Sequence, residues 1–177
     1  MKTILGVTWL GAALLVGCGG DGPDVEEDPP VASCDITLSG AMTGTPECRD
    51  VSLIYFTESD DFSFTLETAS GSRPFVLVRP SANGRPAAEA FTGPSTTVDC
   101  GVSVRDGAKA WYAYLEDSRS GVSLIGSCTL TFTQAEVYAA VGNTTSYRFQ
   151  GTLQAHLLAM ESTGATGTVD VQVNFSY

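Results

Sequence analysis

Hydrophobic and polar residues alternate along most of the chain after residue 33, and the alternation is cleanest near the C-terminus. From Tyr147 to Leu157 and from Ala165 to Phe175, every second residue is apolar or small and the residues between are mainly polar. A period of two residues is typical of a strand with one buried face. The two segments are separated by a short turn. They therefore predict an antiparallel hairpin that packs one face on the core.

The same alternation predicts further strands upstream. They cover Cys34–Gly40, Cys48–Thr57, Phe62–Thr68, Arg73–Arg79, Thr96–Arg105, Ala108–Glu116 and Val122–Thr133. Pro80–Ser95 reads as a long irregular segment, and Gln134–Val141 as a helical turn or a connector. No run shows sustained apolar spacing at helical period. We expect an all-β domain over residues 34–177, an antiparallel β-sandwich or jelly-roll-like barrel of about nine strands.

Four cysteines lie in this domain, and an even number suggests disulfides if the protein is exported. Three pairings are possible, and we favour the sequential one, Cys34–Cys48 and Cys100–Cys128. Cys100 and Cys128 both fall in the apolar phase of their strands, so we expect that bridge to cross the core. The spacings lack the Cys-x2-Cys pattern of zinc sites, and we expect no metal there.

A short apolar run, Thr3–Val16, opens the chain after Lys2 and is too short to span a membrane as a helix. Its end, Leu15-Val16-Gly17-Cys18, resembles the lipobox of bacterial lipoproteins. The resemblance implies a signal peptide over 1–17, cleavage before Cys18, and a diacylglyceryl group on Cys18, often with a further acyl chain such as palmitate. An ordinary signal peptide with a chance cysteine, or a short uncleaved anchor, is the alternative.

Residues 18–33 follow as an acidic spacer with three prolines and five acids. Such a composition cannot bury enough apolar surface to order itself, so we expect a lipidated cysteine followed by a flexible linker. In the lipoprotein sorting rule of enterobacteria, Gly19 rather than Asp after the cysteine is compatible with the outer membrane. We therefore expect a lipid-anchored protein of the cell envelope, at the outer membrane rather than the inner one.

The charge balance excludes one class of partner. The whole chain has a formal charge of −11, and residues 34–177 contain 15 acidic and 8 basic residues. Repulsion from phosphate argues against nucleic acid. The expected partners are the membrane, through the lipid, and an envelope protein or a glycan.

Candidate chemistry is sparse, and we expect no catalytic residues and no cofactor. His156 is the only histidine and lies in the polar phase of its strand, and no Gly-x-Ser-x-Gly motif supplies a nucleophile. The acidic turn Glu58, Asp60 and Asp61 has the oxygen ligands that Ca²⁺ takes, but it also fits a solvated turn.

One strand carries a cluster of aromatic residues: Trp111, Tyr112 and Tyr114. Trp111 and Tyr112 face opposite ways, so one of them is expected to be exposed and able to stack on a sugar ring. Packing in the core or across strands is the alternative. The terminal hairpin, with Gly151-Thr152-Leu153 and Gly167-Thr168-Val169, resembles that of several uncharacterised bacterial lipoprotein β-sandwich families. That resemblance implies no activity.

These observations favour a non-enzymatic binding or interaction module. The alternatives are a purely structural envelope lipoprotein, a carbohydrate-binding module and an accessory domain of a hydrolase. A binder is expected to show an exposed aromatic or apolar patch beside Pro80–Ser95. A structural protein should have a uniformly polar, Thr-rich exterior, and a hydrolase a cleft with carboxylates of perturbed pKa.

Overall fold

A computed structural model describes residues 32–177, which form an all-β fold with one short 3-10 helix at Glu161–Thr163. The predicted signal peptide, Cys18 and the predicted linker through residue 31 lie outside the described residues. The strands are β1 Ser33–Gly40, β2 Cys48–Phe56, β3 Asp61–Thr68, β4 Phe75–Val78, β5 Ser81–Asn83, β6 Ala90–Gly93, β7 Val98–Asp99, β8 Val102–Asp106, β9 Lys109–Tyr112, β10 Tyr114–Asp117, β11 Val122–Ile125, β12 Ser127–Val141, β13 Thr144–Ala159 and β14 Thr168–Ser176.

The strands form two layers, and every pairing between them is antiparallel. The first layer has the order β1-β14-β13-β12-β6. The second is built on β2 and β3, with β4, β8 and β9 continuing from one end of β3 and β5 and β7 from the other. Strands β10 and β11 form a separate two-stranded ribbon. The predicted sandwich-like class is confirmed, and the terminal hairpin is β13–β14.

Strand β13 belongs to both layers. Its first residues, Thr144–Ser146, pair with β2, and its last two, Leu158 and Ala159, pair with β9. Between these points it pairs with β12 on one side and β14 on the other. The two layers are therefore hydrogen-bonded to each other at both ends of one strand.

Phenylalanine rings fill the space between the layers. Phe62 and Phe64 extend from β3, and Phe132 on β12 lies between them and the rings of the first layer. Its centroid is 5.8 Å from Phe62 and 6.2 Å from Phe64. Most of these pairs meet edge to face, the arrangement that aromatic quadrupoles favour. Alternation on the facing strands thus produces one continuous core.

Both predicted disulfides are present. Cys34 pairs with Cys48 and Cys100 with Cys128, at Cα–Cα distances of 5.8 and 5.7 Å. Cys100 and Cys128 are fully buried, whereas Cys34 and Cys48 lie at the edge of the core. The prediction that Cys100 and Cys128 lie on the buried faces of their strands is therefore confirmed, since both sulfurs point into the core.

The predicted number of strands was too low, because alternation continues through three strand breaks. Thr96–Arg105 is interrupted at Cys100–Gly101, Ala108–Glu116 at Ala113, and Val122–Thr133 at Gly126. At the last break the Gly126 N–H donates to the Ala113 carbonyl at 2.8 Å. A Cβ on Gly126 would overlap the His156 carbonyl oxygen, so only glycine lets the chain pass from the ribbon into the first layer here.

Two segments were assigned wrongly. Gln134–Val141 is the outer half of β12 and not a helical turn, because it pairs with β13 through a two-residue turn at Gly142-Asn143. Gly142 has φ +57, as a tight hairpin turn requires. Pro80–Ser95, expected to be irregular, contains β5, which lies between β3 and β7 in the second layer, and β6, which pairs with β12 at the edge of the first.

Gly151 is a point of close approach in the core. A Cβ there would overlap the Thr131 carbonyl oxygen and press on the Phe175 ring. We expect Gly151→Ala to lower the free energy of unfolding by about 2 kcal/mol or more, measured by urea denaturation. Thr152→Ala, on the next residue and the opposite face, is the control and should change it by about 0.5 kcal/mol at most. Equal effects would contradict this account.

Candidate binding surfaces

The distal part of the β12–β13 hairpin projects as an arm, which we define as residues 134–146. Inside the body, β12 is covered on its outer side by β6, which pairs with Cys128–Thr131. The last contact along this edge is the Phe132 N–H donating to the Glu89 carbonyl at 3.0 Å. Beyond it, within residues 32–177, no strand lies beside the outer edge of β12. The arm therefore presents a free strand edge.

Apolar side chains are exposed on this arm and on the strand beside it. Val137 is 64%, Tyr138 44% and Val141 77% exposed, and Phe56 of β2 is 38% exposed. We call these four residues the apolar patch. Val141 pairs with Thr144, which pairs with Phe56, so these two side chains share one face across three strands. Val137, whose partner is Tyr147, lies on the other face of the arm, and Tyr138 is at the bulge between them. Monomeric proteins rarely group large exposed apolar residues in this way without a use for them.

The arm carries little charge, and a β-bulge divides it. Within residues 134–146 the only charged side chain is Glu136, whose cross-strand partner on β13 is Arg148. The register between the two strands shifts between Val137 and Ala139, which makes Tyr138 the extra residue. The Arg148 guanidinium lies 5.1 Å from the centre of the Tyr138 ring, a distance typical of a cation–π contact.

The base of the arm adjoins the Pro80–Ser95 segment. Besides the bond from Phe132 to Glu89, the Arg85 guanidinium lies 5.5 Å from the centre of the Tyr55 ring. A hydrogen bond with Tyr55 raises the pKa of Arg85 above its ordinary value, and burial raises the pKa of the nearby Tyr147 phenol. At neutral pH the Arg85 guanidinium is therefore charged and the Tyr147 phenol is neutral.

A second surface is the outer face of the first layer, which we call the polar face. Cross-strand register places polar side chains in three parallel rows, each crossing β12, β13, β14 and β1. The rows are Ser127, His156, Asp170, Ser39; Thr129, Gln154, Gln172, Thr37; and Thr131, Thr152, Asn174, Asp35. A groove of about 440 Å³ runs along the first two rows. This face offers hydroxyl, amide and carboxylate groups to a polar ligand.

His156 was expected to be a solvated strand residue, and it lies on this exposed face with a specific partner. Its Nδ1 is 2.6 Å from Asp170 Oδ1, and Ser127 is its register neighbour on the other side. Within residues 32–177, the side chains of Ser127 and His156 share no hydrogen bond. The row therefore holds an oriented imidazole without a hydrogen-bonded nucleophile, which a Ser-His-Asp mechanism requires. That the protein is not an enzyme stays a prediction.

The aromatic cluster predicted to bind a ligand is divided between elements. Trp111 on β9 is buried, and its indole N–H lies 3.4 Å from the Thr166 carbonyl oxygen, so its ring is not available for stacking. Tyr112 is half-buried beside Arg105, while Tyr114 belongs to the β10–β11 ribbon. A hydrogen bond with Glu116 raises the pKa of Tyr114. The exposed aromatic ring at the tip of a hairpin is instead Tyr138.

The acidic turn after β2 is engaged by protein donors. Tyr55 donates to Asp60 at 2.7 Å, Ser59 donates to Asp61 at 2.7 Å, and Asn143 donates to Glu58. Across residues 32–177, no three metal-ligating side chains are grouped so that they could hold an ion. The bond from Asn143 ties this turn to the tip of the arm.

Over the same residues, no helix has the length and apolarity needed to cross a bilayer. Comparison of the chain with protein-family models, curated proteins and solved structures finds no match.

Proposed function

We propose that this chain is a lipid-anchored, non-enzymatic protein of the cell envelope that binds another protein through the apolar patch on its arm. The observation that carries the proposal is the coincidence of the patch with a free strand edge. Either feature alone is common on protein surfaces. Together they supply the backbone groups and the side-chain contacts that strand-addition complexes use.

The position of the patch supports binding over a purely structural role. Phe56 of the patch pairs with Asp61, which pairs with Asn83 of the Pro80–Ser95 segment, beside which a binding module was expected to show such a patch. The polar face meets the other expectation, a Thr-rich exterior, but it covers only one side of the molecule. A structural protein gains nothing from leaving Val137, Tyr138 and Val141 in water.

The proposed anchor predicts a specific mass. We expect protein extracted from its native membrane to begin at Cys18, to carry acyl mass on that residue, and to have the other four cysteines oxidised. Intact mass spectrometry measures all three properties. Cys18→Ser should abolish the added mass and release the chain from the membrane fraction. An unmodified chain beginning at Met1 with free thiols would contradict both the anchor and the compartment.

The binding surface is tested by placing a photo-crosslinking amino acid at Val137 of the full chain in its native envelope. We expect irradiation to give an adduct of defined mass, because an apolar edge in contact with a partner excludes water around the probe. The matched control is Ile125, which is 61% exposed at the end of the β11 strand. Failure of the Val137 probe to exceed the Ile125 probe would overturn the proposal.

Glycan binding is the second candidate, favoured by the groove on the polar face. Gln154 and Gln172 lie side by side in it, and each amide offers donors and an acceptor to neighbouring sugar hydroxyls. A photo-crosslinking probe at Gln172 in the same envelope tests this candidate. A glycan adduct there, lost with His156→Ala, would favour it. Absence of any adduct at Gln172, together with a protein adduct at Val137, would exclude glycan binding at this groove.

A further inference from the structure

We infer that the protein bound by the arm is a second copy of this chain, and that two arms pair edge to edge about a two-fold axis at Tyr138. This inference rests on the proposed function, because it names the partner of the same surface. It follows from the symmetry of the edge, the sequence along it and the distribution of charge.

The edge can pair with itself without a gap. The bulge at Tyr138 divides the free edge into two runs, Gln134–Val137 and Ala139–Val141. An antiparallel pair about an axis at Tyr138 places the first run of one copy beside the second run of the other. Each bulge then faces the other bulge. Such an isologous contact uses the same patch on both copies and closes at the dimer.

The side chains that meet in this register are compatible. Val137 of one copy comes opposite Ala139 of the other, and Ala135 comes opposite Val141. Glu136 comes opposite Ala140, so that no like charges face each other across the pair, while Arg148 remains its partner within each copy. Like charges placed directly opposite would destabilise the pairing, and none occur here.

Charge favours the arm over a contact between the bodies. Residues 34–177 carry seven more acidic than basic residues, and only one acid lies within residues 134–146. Antiparallel overlap of the seven residues from Ala135 to Val141 sets the two bodies at opposite ends of a segment roughly 24 Å long. The Debye length at physiological salt is about 8 Å, so the repulsion between the bodies is largely screened.

The opposite edge of the first layer does not offer the same contact. Strand β1 is covered there by the segment that follows it, since the Leu38 N–H donates to the Gly44 carbonyl at 2.8 Å and Asp35 bridges to Glu47. Pairing at β1 would also bring Asp35 and Glu47 of two acidic bodies together. Of these two edges, the outer half of β12 is therefore the one that is uncovered and at which two copies pair with less electrostatic repulsion.

Lipid anchors would assist a small interface of this kind. A pair of seven-residue edges buries little area, and in solution such contacts are weak. If Cys18 holds both copies on one membrane, the contact between their arms forms as if within one molecule. The effective concentration of one arm near the other is then higher than in solution. The test must therefore keep the full chain in its membrane.

Tyr138→Cys in the full chain tests the symmetry axis. Opposed residues of an antiparallel pair have Cα atoms about 4.5–5.5 Å apart, within disulfide range. We expect a disulfide-linked dimer after mild oxidation of native membranes, seen on a non-reducing gel. Adding Val137→Lys should reduce the dimer roughly tenfold, because it places an uncompensated charge at the contact. Ile125→Cys and Ile125→Lys are the matched controls.

The Val137 photo-crosslinking probe separates failure of this inference from failure of the proposed function. An adduct of twice the chain mass supports pairing of copies. An adduct with a different protein keeps the proposed function and overturns the inference. Absence of any adduct overturns both. A Tyr138→Cys dimer no more abundant than the Ile125→Cys control overturns the inference alone.

Discussion

Replacing Cys100 and Cys128 together by alanine is expected to lower the free energy of unfolding by about 4–5 kcal/mol. The bridge closes a loop across 28 residues, and loop-closure entropy alone accounts for about 3.6 kcal/mol. Loss of two fully buried sulfur atoms adds a packing cost, because the surrounding core refills only in part. Urea denaturation followed by the fluorescence of the buried Trp111 measures the change.

The other disulfide is the control for this prediction. Cys34 and Cys48 lie 14 residues apart at the margin of the core, so their double alanine variant should lose about 3 kcal/mol, mostly as entropy. The difference between the variants, less the roughly 0.6 kcal/mol by which the longer loop exceeds the shorter in closure entropy, isolates the packing contribution. A difference of about 0.6 kcal/mol or less would show that the buried sulfurs contribute nothing beyond the cross-link.

Phe132→Ala is expected to cost about 3–5 kcal/mol, the usual range for deleting a large aromatic from a core. Its ring lies between the layers, with centroid distances of 5.8 Å to Phe62, 6.3 Å to Phe149 and 5.9 Å to Phe175. No single neighbour can fill the space that it leaves. The same denaturation measurement reports the loss.

Phe56→Ala provides the contrast, since its ring is part of the apolar patch rather than the core. We expect it to change the free energy of unfolding by about 0.5 kcal/mol at most, because it is a surface position, while weakening the adduct at Val137. A large loss of stability in Phe56→Ala would assign this ring to the fold and remove it from the binding surface.

The sequence was informative where one strand face is buried along its whole length. The terminal hairpin followed from alternation, because a period of two residues fixes which side chains share a face. The Cys100–Cys128 pairing followed from the sequential order of the cysteines together with the apolar phase that these two share. Alternation does not reveal where a strand leaves one partner for another. The breaks at Gly101, Ala113 and Gly126 were missed for that reason.

The arm was hidden by its composition. Gln134–Val141 contains three alanines and a glutamate, which favour a helix in isolation, yet pairing with β13 makes it a strand. The binding surfaces depend on register, which local sequence does not supply. Phe56 reaches Val141 only through β2–β13 pairing, and Asp170 reaches His156 only through the β13–β14 register.

The pairing of β13 with both layers has a consequence for biogenesis. The strand that joins the layers, β13, begins at Thr144. A chain that emerges N-terminus first therefore lacks the pairings of β13 with β2 and with β9 until most of its length is available. Contacts so distant in sequence form late and slowly, because the intervening chain must be closed into loops. The two layers are therefore not joined until β13 is available, and we expect the domain to reach its native fold only after that point.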